Sequence, residues 1–195
     1  MTAENATPGK RTRVVTRTGD SGETQVGKGR MLKCAPRVES YGAVDEASSM
    51  IGLLRTAVEH DARLTGWLRS IQIDLFDMCA DLSMPGETAA ALRFKPEPVL
   101  RIEAQLEELN ATQPRLKNFV LPTGIGPAGA YAHLARTVVR RAERRVVALT
   151  RMEGEEVNPE IQRYLNRLSD FLFILARHLN DNGEKDDVWA PGGQR

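Results

Sequence analysis

Between Pro36 and Gly183 apolar residues recur every three or four positions, a period that predicts helices and divides this part of the chain into five. Val38, Tyr41, Val44, Ser48, Ile51, Leu54 and Val58 form the first stripe, which ends near His60. Leu64, Trp67, Leu68, Ile71, Leu75, Met78, Cys79 and Leu82 form the second. "MPGET" then breaks the pattern, and Pro96 or Pro98 opens a third helix carrying Val99, Ile102, Leu106 and Leu109. Proline suits that place because the first turn of a helix has no use for its missing N–H, and the helix ends before Pro114. After a second breaker, "LPTGIGPAG", the residues Tyr131, Leu134, Val138, Ala142, Val146 and Leu149 mark a long fourth helix running into Gly154. Asn158, Pro159 and Glu160 signal the start of a fifth, striped by Ile161, Leu165, Leu168, Leu172, Leu175 and Leu179 and stopped by Asn182 and Gly183. Short connectors between helices of this length predict an all-α fold, a five-helix antiparallel bundle.

Upstream of Pro36 there is no helical period. Residues 1–12 are polar, with Pro8 and Gly9, and read as a disordered leader, so that residues 13–195 form the single helical domain. "RVV" at Arg13 to Val15 is a candidate short strand. In "TRTGDSGETQVGKGR" Gly22, Gly27 and Lys28 match the spacing of the nucleotide-binding P-loop, but Gly29 stands where that loop needs a hydroxyl. A P-loop also runs straight into a helix, whereas Cys34, Ala35 and Pro36 intervene here. The stretch is therefore a phosphate loop of another design or a flexible hairpin.

Composition narrows the function. The 195 residues carry a net charge of +1, so no global field draws the protein to nucleic acid or anionic lipid, and any basic site is a local concentration. Cys34 and Cys79 belong to no paired motif, which fits a reducing, cytoplasmic setting. His60, His133 and His178 lie too far apart to share a helix turn, which argues against a histidine-built metal site. No run of 18 apolar residues is present to cross a membrane.

The local concentration is "ARTVVRRAERRVVALTR". Arg136, Arg140 and Arg144 climb one side of the fourth helix, Arg141 and Arg145 form a neighbouring rank, and Glu143 is the one acid among them. Like charges in adjacent turns cost a few tenths of a kcal/mol per pair, so something compensates: acids on other helices, or a bound polyanion. Guanidinium forks match phosphate oxygens two at a time, and a fixed row of them suits a chain of phosphates. On the fifth helix Asn166, Asp170 and Arg177 share one flank, with Arg163 and Arg167 nearby, as boundary residues of an apolar stripe commonly do; Asn166 also offers both donor and acceptor to a base or ribose. Asp45 and Glu46 sit in the middle of the first helix, where an aspartate invites a partner such as an arginine.

Taken in order, "TRTGDSGET", "RVESYGAVDE", "IQIDLFDMCADLS", "NFVLP", "ARTVVRRAERR", "YLNRLSDFLFILAR" and "WAPGG" resemble the PduO-type ATP:cob(I)alamin adenosyltransferases over nearly the whole stretch from Arg13 to Gly193. The resemblance implies a five-helix bundle assembled as a homotrimer with active sites between subunits. It implies transfer of the 5′-deoxyadenosyl group of ATP to cobalt, with ATP and cobalamin as substrates, Mg²⁺ on the phosphates and K⁺ as a further ion. By motif, Thr16, Arg17, Thr18, Gly19, Asp20, Gly22 and Thr24 would wrap the phosphates, with Lys33 completing the charge. Arg140, Glu143, Arg144 and Asn166 resemble the remaining ATP contacts. Arg136 resembles an arginine that pairs across the subunit interface with an acid matching Asp45, and Phe119 the aromatic that covers the lower face of the corrin, so that Arg140 and Phe119 would serve catalysis.

The same resemblance implies partners: a cobalamin reductase, and an adenosylcobalamin-dependent mutase or dehydratase, with no nucleic acid and no membrane. Two segments depart from the family pattern. "LPTGIGPAGAYAHLAR" is one residue longer and richer in glycine than the usual sequence after the proline, and "LKCAP" replaces an acidic run between Arg30 and Arg37. A non-catalytic corrinoid carrier is the competing reading, but a carrier has no need of the N-terminal phosphate loop. A nucleic-acid scaffold would want interleaved aromatics and overall basicity that the chain lacks.

Overall fold

The computed structural model describes residues 15–84 and 93–193, and within them the five expected helices form. They are α1 (Pro36–Ala57), α2 (Ala62–Ser83), α3 (Glu97–Asn110), α4 (Pro127–Thr150) and α5 (Pro159–His178). α4 lies between α1 and α5, with α2 packed on the outer side of α1 and α3 on the outer side of α5. The predicted stripes face inward: Ile51, Leu54, Leu68, Leu75, Val146, Leu165, Leu168 and Leu172 are all completely buried. Each such side chain contributes about 1.5–3 kcal/mol by leaving water.

Helix ends follow local chemistry. Asp61 caps α2 by accepting from the Leu64 N–H at 2.9 Å, and Asn158 caps α5 by accepting from the Glu160 N–H at 3.1 Å. α5 stops where Asp181, Asn182 and Gly183 all take positive φ, at 57°, 52° and 89°. α4 starts earlier than its stripe predicts, at Pro127 inside the expected breaker. The glycine that disguised this turn has a packing reason: a Cβ on Gly129 would stand 2.9 Å from Asn180 Oδ1.

Buried carboxylates tie the helices together. Asp74 accepts from the Tyr164 hydroxyl at 2.6 Å and pairs with Arg101, linking α2 to α5 and α3. Burial first, and the Asp74 charge second, push the Tyr164 hydroxyl far above its ordinary pKa, so it stays a neutral donor. Asp81 accepts from the Phe94 N–H at 2.7 Å, Asn158 Nδ2 at 2.8 Å and Arg93 at 3.1 Å. Arg37, 2% exposed, donates to the Leu82 carbonyl at 2.8 Å and the Glu156 carbonyl at 3.0 Å and pairs with Glu155.

The N-terminal stretch supplies the two strands found among the described residues. β1 (Glu23–Val26) and β2 (Gly29–Leu32) form an antiparallel hairpin in which Val26 faces Gly29 across a two-residue turn. Gly27 takes φ 53° at the first turn position, as a primed hairpin turn requires. The P-loop spacing is thereby accidental, since Gly27 and Lys28 are the turn and a strand follows them. The leader expected over 1–12 lies outside the described residues, as do Arg13 and Val14 of the candidate strand; Val15 belongs to no strand. No helix among the described residues is long and apolar enough to cross a membrane.

Candidate active site

Two ranks of arginine leave α4 in different directions. On the α1 side Arg141 pairs with Glu46 and Arg145 with Glu39 at 3.7 Å. On the α5 side Arg136, Arg140 and Arg144 have no acid partner within the chain, among the described residues. Arg136 and Arg140 instead line a hollow of about 610 Å³ between α3, α4 and α5, together with Arg167, Asp170 and Phe173. Arg136 Nε is buried without a hydrogen bond. Burial, and then the like charge of Arg140, holds the Arg136 guanidinium below its ordinary range.

Next to this hollow lies another, of about 420 Å³, lined by Glu143, Gln162, Arg163, Asn166 and Arg167. Here Asn166 Nδ2 donates to Glu143 at 3.0 Å, and Arg167 donates to Asn166 Oδ1 at 2.8 Å and to Glu103 at 2.8 Å. Both functions of the Asn166 amide are thus fixed in orientation before any ligand arrives. Arg144 reaches back to the Arg140 carbonyl at 3.2 Å. Arg140, Glu143, Arg144 and Asn166 therefore share one flank, while Arg177, expected beside Asn166, is buried instead against Asp186 at 2.7 Å. Its flank turns inward at the helix end because a loop packs over it.

The N-terminal loop sits elsewhere. Arg17 takes φ 61°, Thr16 and Thr18 hydroxyls lie 3.0 Å apart, and the Gly22 N–H donates to the Gly19 carbonyl at 3.1 Å. Arg30 on β2 donates to the Thr18 carbonyl at 2.6 Å and pairs with Glu23, pinning the turn that contains Asp20 to the hairpin strand that includes Thr24. The hairpin returns Lys33 to this turn: its N–H donates to the Gly22 carbonyl at 2.8 Å, and a Cβ on Gly19 would stand 3.2 Å from its Nζ. Lys33 also lines a hollow with Glu39, Glu46, Arg141 and Arg145, on the α1 side of α4. Within one chain the loop and the unpaired arginines are therefore on opposite flanks of α4. Asp45 is exposed on α1 and makes no ion pair with Arg136 in the same chain.

Phe119 is 75% exposed. Its neighbour is Trp189, whose ring centroid lies 6.0 Å away and which is itself 43% exposed. An antiparallel bridge between Val120 and Val188 holds the two together, with the Trp189 N–H donating to the Phe119 carbonyl at 2.8 Å. Pattern reading missed Trp189 and Arg167: a lone tryptophan near the terminus has no period, and Arg167 resembled any solvated boundary residue. The signal available for Trp189 was its place in "VWAPGG", directly before a proline–glycine turn.

A family model described as Cobalamin adenosyltransferase matches residues 14–179. A corrinoid adenosyltransferase of Mycobacterium tuberculosis is 44% identical over 188 residues, which cover 94% of this chain and 96% of that protein. A cobalamin adenosyltransferase of Cupriavidus metallidurans is 45% identical over 177 residues, covering 90% and 92%. Among solved structures, a single-residue variant of PduO-type ATP:corrinoid adenosyltransferase from Lactobacillus reuteri, complexed with cobalamin and ATP, superposes with a TM-score of 0.84 at 34% identity, over 91% of this chain and 99% of that one. With both the matched length and the identity this high, the chain belongs to the cobalamin adenosyltransferase family.

Proposed function

We propose that this protein transfers the 5′-deoxyadenosyl group of ATP to cob(I)alamin, releasing triphosphate, at sites completed between the subunits of a homotrimer in the cytoplasm. The observation that carries the reading is the division of charge on α4. Arg136 and Arg140 face a hollow on the α5 flank without acid partners, with Arg144 one turn further on, while the loop of Thr16 to Thr24 with Lys33 lies on the α1 flank. A helix with its side chains is about 10–12 Å across, so the two sets meet around one triphosphate most simply when the loop of one copy faces the arginines of the next. Arg136, with Nε buried and unsatisfied, then takes Asp45 of the neighbouring copy as its partner.

The reaction forms a bond from cobalt to the ribose 5′ carbon and breaks the bond from that carbon to the phosphate oxygen, and triphosphate leaves with the electron pair. The nucleophile belongs to the corrinoid, so the protein needs no general base or activated hydroxyl. Its tasks are to hold the 5′ carbon in line with cobalt and to meet the charge that develops on the departing triphosphate. Arg140, Arg144 and Lys33 meet that charge, the loop residues Thr16, Arg17, Thr18, Gly19, Asp20, Gly22 and Thr24 surround the phosphates, and Asn166, held by Glu143, orients the nucleoside. Phe119, with Trp189 beside it, lies under the corrin and excludes water and the lower base. Mg²⁺, and K⁺ as a further ion, enter in this reading with the phosphates; among the described residues no group of three or more His, Cys, Asp or Glu lies close enough to hold a metal. A cobalamin reductase supplies Co(I), and an adenosylcobalamin-dependent mutase or dehydratase takes the product.

The test mixes the purified protein with ATP, Mg²⁺ and chemically reduced cobalamin in the absence of oxygen, following the corrinoid spectrum while assaying triphosphate. Adenosylcobalamin and triphosphate in equal amounts are expected. Bound, base-off corrinoid without triphosphate would overturn the reading in favour of a carrier.

A further inference from the structure

Phe119 and Trp189 are too exposed to be held by their own packing, and the segments that carry them meet in a single isolated bridge, too little to be stable alone. Their placement has to come from somewhere else. Arg177 and Asn180, at the end of α5, provide it. The Arg177 guanidinium, 3% exposed, donates to Asp186 at 2.7 Å and to the Pro114 carbonyl at 3.0 Å, so one side chain grips the start of the Phe119 segment and the start of the Trp189 segment. Asn180, fully buried, donates to the Thr123 carbonyl at 3.3 Å and accepts from the Ile125 N–H at 3.1 Å, which grips the far end of the Phe119 segment. It also reaches Asp186 Oδ1 at 3.4 Å.

Two glycines record how closely this latch is packed. A Cβ on Gly183, at φ 89°, would stand 2.5 Å from Arg177 Nη2, and one on Gly129 would stand 2.9 Å from Asn180 Oδ1. Outside the latch, four further hydrogen bonds transmit its register to the rings. Leu121 N–H donates to the Asp187 carbonyl at 2.8 Å, Trp189 N–H to the Phe119 carbonyl at 2.8 Å, Asn118 Nδ2 to the Trp189 carbonyl at 2.7 Å, and Phe119 N–H to Asn118 Oδ1 at 2.9 Å. α5 also bears Asn166, eleven residues before Arg177 and so about 16 Å along the same rigid helix.

We propose that Asp186, acting with Arg177 and Asn180, is a positioning residue that sets the Phe119–Trp189 pair against the corrin, referencing it to the helix that carries Asn166. The proposal rests on the reading of Phe119 as corrin-facing. The Asp186 side chain is buried and engaged by Arg177 and Asn180, so it acts through the latch and on one substrate only: loosening the latch displaces the aromatic floor and leaves the nucleotide contacts in place.

The experiment compares the intact wild-type protein with Asp186→Asn, which keeps shape and removes charge. In the variant the KM for cob(I)alamin rises about tenfold and the base-off share of bound corrinoid falls, while the dissociation constant for ATP shifts by less than about twofold. Equal losses toward ATP and corrinoid, or no loss toward either, would overturn the proposal. Should Asp186→Asn not fold, Asn118→Ala decides: it removes an exposed link between the two segments, and the same split at smaller size is expected, whereas an unchanged corrinoid KM would refute positioning. A wild-type protein that neither adenosylates nor binds corrinoid base-off marks failure of the functional reading itself, separately from the latch.

Discussion

The two flanks of α4 carry the same residue at the same spacing and differ in what surrounds it. Toward α1, Arg141 and Arg145 meet Glu46 and Glu39, and the charges cancel on an exposed surface. Toward α5, Arg136 and Arg140 open on a hollow whose acids do not pair with them: Glu103 and Asp170 both accept from Arg167, and Glu107 lines the wall without an ion pair to either arginine. The comparison separates structural from functional charge by satisfaction rather than by residue type. An arginine with its acid stabilises the bundle a little; a row without acid partners, its first member Arg136 partly desolvated, is ready for an anion that the chain does not supply.

The largest expected effect tests the unpaired flank directly. Arg140→Ala removes one guanidinium from the proposed triphosphate site, and kcat/KM for adenosylation should fall by about 10²–10³, the range seen when a donor aimed at developing negative charge is lost. Because Arg140 is exposed and without an acid partner, the melting temperature should stay within about 2 °C of wild type. Steady-state kinetics and thermal unfolding on one preparation check both halves; a variant that is fully active would dissolve the comparison.

Next in size is Arg136→Met. In the proposed trimer this substitution strands Asp45 of the neighbouring copy, and subunit association should weaken by about 2 kcal/mol or more per interface, roughly a thirtyfold change in the association constant. Light scattering across a dilution series reads it. In a chain that never pairs Arg136 across an interface, the same change replaces an unsatisfied buried Nε by an apolar side chain, and the protein becomes more stable with its oligomeric state unchanged. The two outcomes have opposite signs.

A third prediction uses His133, one turn before Arg136 on the same flank and 1% exposed, with neither ring nitrogen hydrogen-bonded. Burial first, and the Arg136 charge second, lower its pKa; Asp186 pulls weakly the other way, and the Phe173 ring meets it edge-on. The folded pKa therefore lies below the ordinary 6.5, and as pH falls the unfolded chain takes the proton first. This stability is complete above pH 6.5 and is lost below it, down to the folded pKa, by at most about 1.4 kcal/mol per pH unit. His133→Phe should flatten unfolding free energies measured between pH 6.5 and 5; a slope identical to wild type would assign the dependence to other groups.

Periodicity found the helices because their stripes are long and their caps are local; α5, with Asn158 before Pro159 and an unbroken leucine seam, needed nothing from outside its own residues. It failed where the deciding neighbour lies far along the chain. The start of α4 looked like a breaker because Gly129 answers to Asn180, and Arg177 looked like a boundary residue because Asp186 is invisible until the turn through Gly183 folds back. The hairpin stood only as one of two readings of its stretch, because four residues per strand are too short for alternation to register, although "VGKG" carries its turn. Among the candidate site residues, Arg140, Glu143 and Arg144 were legible as neighbours because helical spacing fixes which flank of α4 they share, whereas Asn166, on α5, joined them only through the family resemblance. The opposition of Lys33 to them was not legible, since spacing within α4 says nothing about which neighbour each flank meets.

The smallest effect is the control on which the comparison stands. Arg141 and Glu46 are each about half exposed, so their attraction is screened and offset by the entropy of ordering two long side chains, and the pair is worth about 0.5 kcal/mol at most. Arg141→Ala should lower stability by no more than that, and the difference should vanish in about 1 M salt, where screening acts over about 3 Å. Its kcat should match wild type. Lys33 borders the same hollow, however, and in the proposed assembly Lys33 reaches a phosphate. Freed of Arg141, Glu46 stays as an unbalanced negative charge there, so a residual effect should appear as a weaker ATP affinity that Glu46→Gln in the same chain restores. If Arg141→Ala instead abolishes activity as Arg140→Ala does, and Glu46→Gln fails to rescue it, the paired rank also takes part in binding and pairing within one chain no longer distinguishes the two flanks.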